Sequence, residues 1–183
     1  CKERKYAHMM ITIAGCGALG SIFASKLLDG GYQVQAYQRQ VATLDALKTG
    51  LTIESEDRSS SRKYQLAAVS DSVQNLEPTE LIIVLVKLFS TAEVAPLRDI
   101  LKEGGILLTL QNGLGNAEIL SSIFGEEKIA AGTAHWGAIK RAPGIVQEAG
   151  GALIVLGPWY AGKDMTRVAD ILEGAAFNVK YVE

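Results

Sequence analysis

Blocks of apolar spacing with period two and with period 3.6 succeed one another along this chain, predicting strands and helices in turn. Residues 10–14 are a short apolar run suited to a buried strand, and residues 21–28 have the spacing of a helix that closes at Gly30 and Gly31. Residues 32–37 alternate as a second strand, 41–48 read as a short helix ending at Gly50, and 51–53 begin another strand. Residues 54–63 are charged and serine-rich, which predicts an exposed turn before a returning strand over 64–69. Residues 81–86 are continuously apolar, as expected of a strand covered by helices on both faces. A helix is predicted over 90–101 despite Pro96, then a buried strand over 105–110 and a short one over 128–131. Beyond these the pattern changes to short strands at 133–139, 144–148 and 152–156, separated by glycines and Pro143. A helix over 164–172 and a strand over 177–182 complete the chain.

The order of elements predicts an α/β domain: a mostly parallel sheet with helices on both faces and an antiparallel extension in its C-terminal part. With 183 residues, 48% of them hydrophobic, the chain can bury a substantial core in one domain. A net charge of −2, with no basic run interleaved with aromatics, argues against a nucleic-acid surface. The apolar runs are too short to cross a bilayer and no signal-peptide pattern is present, so a cytoplasmic protein acting on a small molecule is expected. The polar start, residues 1–9, reads as an extension, native or left from expression, outside the domain over 10–183. Two cysteines and two histidines in no ligand spacing predict neither a disulfide framework nor a metal site. Glu54, Glu56 and Asp57 belong to the exposed turn and are given no catalytic role.

The stretch richest in chemistry is Gly15-Cys16-Gly17-Ala18-Leu19-Gly20, of the form G-x-G-x-x-G, set between the first strand and the first helix. That is the context of the Rossmann dinucleotide fingerprint: the first glycine permits a tight turn, the second a close approach to pyrophosphate, the third helix-on-strand packing. Cys16 reads as a small filler rather than a nucleophile. An NAD-preferring site places Asp or Glu about 20 residues beyond the loop, but here the second strand runs into Gln38-Arg39-Gln40. Arg39 suits a 2′-phosphate, so NADPH is favoured over NADH; a solvated loop arginine is the bland alternative. Lys87 directly follows the strand at 81–86, where ligands of open α/β sheets collect, although a lysine starting a helix with its head in water would look the same. Asn112-Gly113, often only a turn, stands at the end of the next strand, so three such features share one sheet edge.

These residues resemble the N-terminal domain of the ketopantoate reductase (2-dehydropantoate 2-reductase) family, over essentially 10–183. The likeness is carried by GCGALG at 15–20, Arg39, LVK at 85–87, NGLG at 112–115, GTAHWGA at 132–138, Gly144-Ile145-Val146 and 154–157. It implies that Gly15, Cys16, Gly17, Ala18, Leu19, Gly20, Arg39, Lys87, Asn112 and Ala138 bind or approach NADP(H), with Asn112 also near the substrate. The family's reaction would be NADPH-dependent reduction of 2-dehydropantoate to pantoate in pantothenate biosynthesis, with a lysine as general acid. That lysine belongs to a second, helical domain, and this chain ends at Glu183, about where that domain would begin. The fragment alone is therefore expected to be inactive, holding cofactor while the missing domain supplies the acid. Many relatives carry histidine where Trp136 aligns, so His135 and Trp136 are given no role, packing or lining of the crevice being the bland reading of the tryptophan. Two alternatives stay open, a reductase of another 2-oxo acid and a non-catalytic NADPH-binding module. A homodimer of the longer protein is a further expectation to be tested.

Overall fold

The computed structural model describes residues 8–183. The expectations for residues 1–7, Cys1 among them, lie outside the described residues. Met9 is buried in the core and its carbonyl accepts a hydrogen bond from the Gln33 amide, so it is bound into the domain.

The strands β1 (Met10–Ala14), β2 (Gln33–Tyr37), β6 (Thr79–Val84) and β7 (Leu101–Thr109) run parallel in the order β7-β6-β1-β2. Short β5 (Val69–Ser70) closes one edge beside β2, and long β8 (Ile129–Ala142) continues the parallel set beside β7. β8 then pairs antiparallel along most of its length with β9 (Ile145–Pro158). The outer side of β9 is shared end to end: β3 (Leu51–Glu54) pairs with its first residues, and β10 (Val179–Tyr181) with its last. β4 (Ser61–Tyr64) is the outermost strand, antiparallel to β3.

Burial follows the pleat. On β6, Leu81 and Ile83 face one core with Ile11 and Ile13 of β1, against α1 (Ala18–Asp29) and α4 (Thr166–Gly174) through Phe23, Leu27, Val168 and Leu172. Ile82 and Val84 face the other core, against the 3-10 stretch Leu88–Ile100 and α3 (Asn116–Phe124), through Val94, Leu97, Leu120 and Phe124. Fully buried strands of this kind read as unbroken apolar runs because both faces are covered. The mostly parallel α/β architecture and the antiparallel extension are as expected.

Four details differ from the sequence expectations. The helix expected over 90–101 is a 3-10 helix, with Pro96 inside it. Proline lacks the N–H that an α-helix needs and its ring clashes with the carbonyl four residues back, here that of Ala92. The returning strand is Ser61–Tyr64 rather than 64–69, and Val69–Ser70 crosses instead to β2. The short strands expected between 128 and 156 are two continuous 14-residue strands. Their internal glycines are not breaks but places of close approach: a Cβ on Gly132 would stand 2.2 Å from the Val155 carbonyl oxygen, and one on Gly151 1.9 Å from the Trp136 ring. Finally, residues 116–124, given no element, form α3, which buries Ala117, Leu120 and Phe124 at helical spacing.

Candidate functional site

The first loop owes its shape to three glycines in three different situations. Gly15 has φ +89°, and a Cβ there would stand 2.7 Å from the Val86 backbone nitrogen, so the turn and the closeness of the segment just after β6 both demand glycine. A Cβ on Gly20 would stand 2.3 Å from the Gly15 carbonyl oxygen, which is what lets α1 start hard against the loop. Around Gly17 nothing lies within 4 Å: its missing side chain leaves open space. Gly17 is also the N-cap of α1, with no side-chain cap and no acidic residue in the first turn. The first-turn N–H groups therefore lack intrahelical partners, and the positive end of the helix dipole faces outward.

That open space belongs to a cavity of about 590 Å³ whose wall includes Gly15, Gly17, Ala18, Gln38, Arg39 and Lys87. It lies at the carboxyl ends of β1, β2 and β6, the place the sequence singled out. Among the wall residues that escaped the sequence reading are Phe89, Glu93 and Lys140. Glu93 pairs with Arg39, Oε2 to Nη1 at 2.9 Å, both side chains about half exposed (45% and 54%). Lys140 arrives from β8 and its Nζ donates to Gln40 Oε1 at 3.1 Å and Thr43 Oγ1 at 2.7 Å. Arg39, Lys87 and Lys140 against Glu93 leave the wall with a positive excess, fit for an anion. Gln38 is 8% exposed and its Oε1 has no hydrogen-bond partner. A buried acceptor left unmade costs about 1–3 kcal/mol, and a sugar hydroxyl is the kind of donor that would relieve it. Gly17, the uncapped helix start and Gln38 thus fit a dinucleotide.

The remaining expected residues lie elsewhere. Cys16 is fully buried, and burial pushes its thiol up to about 12, against a hydrogen bond from or to Ser21 that pulls it down. Such a thiol is no nucleophile at neutral pH, in keeping with the filler reading. Leu19 packs on the larger core and Gly20 is buried. Asn112 is exposed at the end of β7 and Ala138 half-buried opposite Glu148 on β9; neither lines the large cavity. The loop bearing Asn112 is held by a buried polar chain that the sequence reading missed. Gln111 Nε2 donates to the Val86 carbonyl and to Thr91 Oγ1, each at 2.9 Å, and Thr91 Oγ1 donates to Asn116 Oδ1 at 2.8 Å. This fixes the loop after β7 against the segment that carries Lys87. Its signal was the run of Gln, Asn and Thr in otherwise apolar surroundings.

Trp136 packs edge-on to Phe177 at 5.2 Å, lies under the Lys26 ammonium at 5.0 Å and donates from Nε1 to Glu148 Oε1 at 3.3 Å. These contacts pack it against the larger core. Among the described residues no group of three His, Cys, Asp or Glu could hold a metal ion, and no helix is long and apolar enough to cross a membrane.

Comparison with known proteins gives the family. Residues 11–161 match the family model for ketopantoate reductase PanE/ApbA. The 2-dehydropantoate 2-reductase of Halobacterium salinarum is 32% identical over 176 residues, 96% of this chain and 56% of that protein. That of Pyrococcus abyssi is 28% identical over 169 residues, 91% of this chain and 54% of that protein. Among solved structures, a D-mandelate dehydrogenase in ternary complex with NADH and anilino(oxo)acetate superposes with TM-score 0.88 at 26% identity, covering 96% of this chain and 57% of the other. The 2-dehydropantoate 2-reductase of Geobacter metallireducens superposes with TM-score 0.84 at 28% identity, covering 95% and 58%. The chain thus spans a little over half the length of the relatives it matches, and over that span it belongs to the ketopantoate reductase family.

Proposed function

We propose that this chain is the NADP(H)-binding half of a cytoplasmic reductase that converts 2-dehydropantoate to pantoate, a step of pantothenate biosynthesis. The observation that carries the reading is the cavity at the uncapped start of α1, open at Gly17 and lined by an excess of cations. The α1 first-turn N–H groups hold the pyrophosphate, as at other helix N-termini. Arg39 meets the 2′-phosphate and Gln38 Oε1 accepts from the adenosine ribose. Lys87, at the end of β6, neutralises further phosphate charge. When bound, the dihydronicotinamide supplies a hydride.

Asn112, on the loop braced by Gln111, Thr91 and Asn116, donates a hydrogen bond to the substrate's carbonyl oxygen as negative charge grows there. An amide cannot deliver the proton that the alkoxide needs; the family resemblance assigns that role to a lysine of a helical domain, in the part of the relatives that this chain does not span. Ala138 borders the nicotinamide end.

The test is turnover of 2-dehydropantoate with NADPH by the protein extended to the length of its relatives, beside this chain alone. Turnover by the extended protein and none by the fragment is expected. Comparable turnover by both would overturn the placement of the acid. A second reading, a reductase of another 2-oxo acid using NADH, is favoured by one feature: Glu93 already occupies Arg39. It also fits the likeness to the NADH-bound D-mandelate dehydrogenase. A panel of 2-oxo acids with each cofactor separates the two.

A further inference from the structure

We infer that Lys140 is the cation that sets the preference for a 2′-phosphorylated cofactor, taking the 2′-phosphate jointly with Arg39. This rests on the cofactor reading above and deepens it. Lys140 and Arg39 stand on the wall of the same cavity, and Gln40, the residue after Arg39, accepts a hydrogen bond from Lys140. Their charges are not equivalent. The Arg39 guanidinium is already engaged by the Glu93 carboxylate at 2.9 Å. The Lys140 ammonium is held by neutral oxygens, Gln40 Oε1 at 3.1 Å and Thr43 Oγ1 at 2.7 Å, and no carboxylate among the described residues lies within ion-pair distance of it.

An ammonium has three protons to donate, and these two acceptors leave one for a ligand. The acceptors also fix its position at the start of α2 (Val41–Thr49). That helix has Gln40 at its N-cap with no side-chain cap and no acidic residue in its first turn. Thr43 is 2% exposed and donates in turn to Gln40 Oε1 at 2.7 Å, so the two acceptors are themselves braced. A phosphate arriving beside Arg39 therefore meets an ammonium that is anchored and uncompensated, together with a guanidinium it must share with Glu93. An unphosphorylated ribose offers Lys140 at most a neutral hydroxyl acceptor, a weaker partner than the doubly charged phosphate. A lysine that only tied the β8–β9 hairpin to α2 would affect both cofactors alike.

The experiment uses this chain with Lys140→Met and Lys140→Arg, titrated with NADPH, NADH, adenosine 2′,5′-bisphosphate and ADP, with thermal melting to show that each variant is folded. For Lys140→Met, about tenfold or greater weakening is expected for NADPH and the bisphosphate, with NADH and ADP within about twofold, since one charge-assisted contact is lost. Lys140→Arg should retain most of the preference. Equal losses for all four ligands, or an unchanged preference in Lys140→Met, would overturn the inference while leaving the cofactor reading intact. Failure of the unaltered chain to bind any of the four would overturn both.

Discussion

Gly20 and Gly15 touch so closely that one added carbon on Gly20 would stand 2.3 Å from the Gly15 carbonyl oxygen, inside any van der Waals contact. Gly17, between them in sequence, has nothing within 4 Å. Alanine should separate these roles. Gly20→Ala is expected to destabilise the domain by about 2–3 kcal/mol, because backbone on both sides must shift. Gly17→Ala should leave the melting temperature within a degree or two, roughly, but weaken dinucleotide binding about tenfold, since the close backbone approach is lost. Melting and titration of both variants check this; a stable Gly20→Ala, or a Gly17→Ala that binds normally, would contradict it.

The Arg39–Glu93 pair is exposed, and pairs of that kind are worth about 0.2–1 kcal/mol, so it opens easily. Glu93→Gln frees the guanidinium and removes a carboxylate from the phosphate's surroundings. NADPH should then bind several-fold tighter, roughly the effect of one nearby like charge removed in partly screened surroundings, while NADH changes little. The gain should shrink as salt is raised. No change in the NADPH to NADH ratio would mean that Glu93 does not face the phosphate.

The Cys16 thiol ordinarily titrates near 9.0 and in the fold is pushed up to about 12 by burial. Because the folded value is the higher one, the contribution to stability is complete below about pH 9 and is lost as pH rises toward 12. Denaturation midpoints should fall more steeply above pH 9 for the unaltered chain than for Cys16→Ala. Cys1 is common to both and cancels. Parallel curves would contradict the assignment.

Trp136 packs on Phe177 and the larger core, so Trp136→Ala should cost about 2–4 kcal/mol through lost area and the lost ring contact. Cofactor affinity should hold in the folded fraction. Chemical denaturation together with titration decides between this and a role in binding, which would show as lost affinity at unchanged stability.

What the sequence disclosed about the site was what is local. Strand, glycine loop and helix could be read from 10 to 28 because each glycine there answers to residues a few positions away or to the next parallel strand. Arg39 and Lys87 were legible because the end of a parallel strand is itself a location. Lys140 was not, since only the register of a long hairpin brings it beside Gln40 and Thr43. Glu93 was hidden inside the helix expected over 90–101, and only the fold brings it to Arg39 from a stretch far along the chain. The β8–β9 hairpin was misread as short strands for one physical reason: glycine within a strand looks like punctuation. In the fold, Gly132 and Gly151 are the places where a neighbouring carbonyl and an indole ring come too near for a Cβ.

The central claim is that these 183 residues bind a nicotinamide dinucleotide by themselves. The direct measurement is titration of the chain with NADPH and with NADH, followed by nicotinamide fluorescence and repeated with Gly17→Ala. Saturable one-to-one binding, tighter for NADPH and weakened about tenfold by Gly17→Ala, is the expected result. Absence of saturable binding by either cofactor in a folded sample would contradict it.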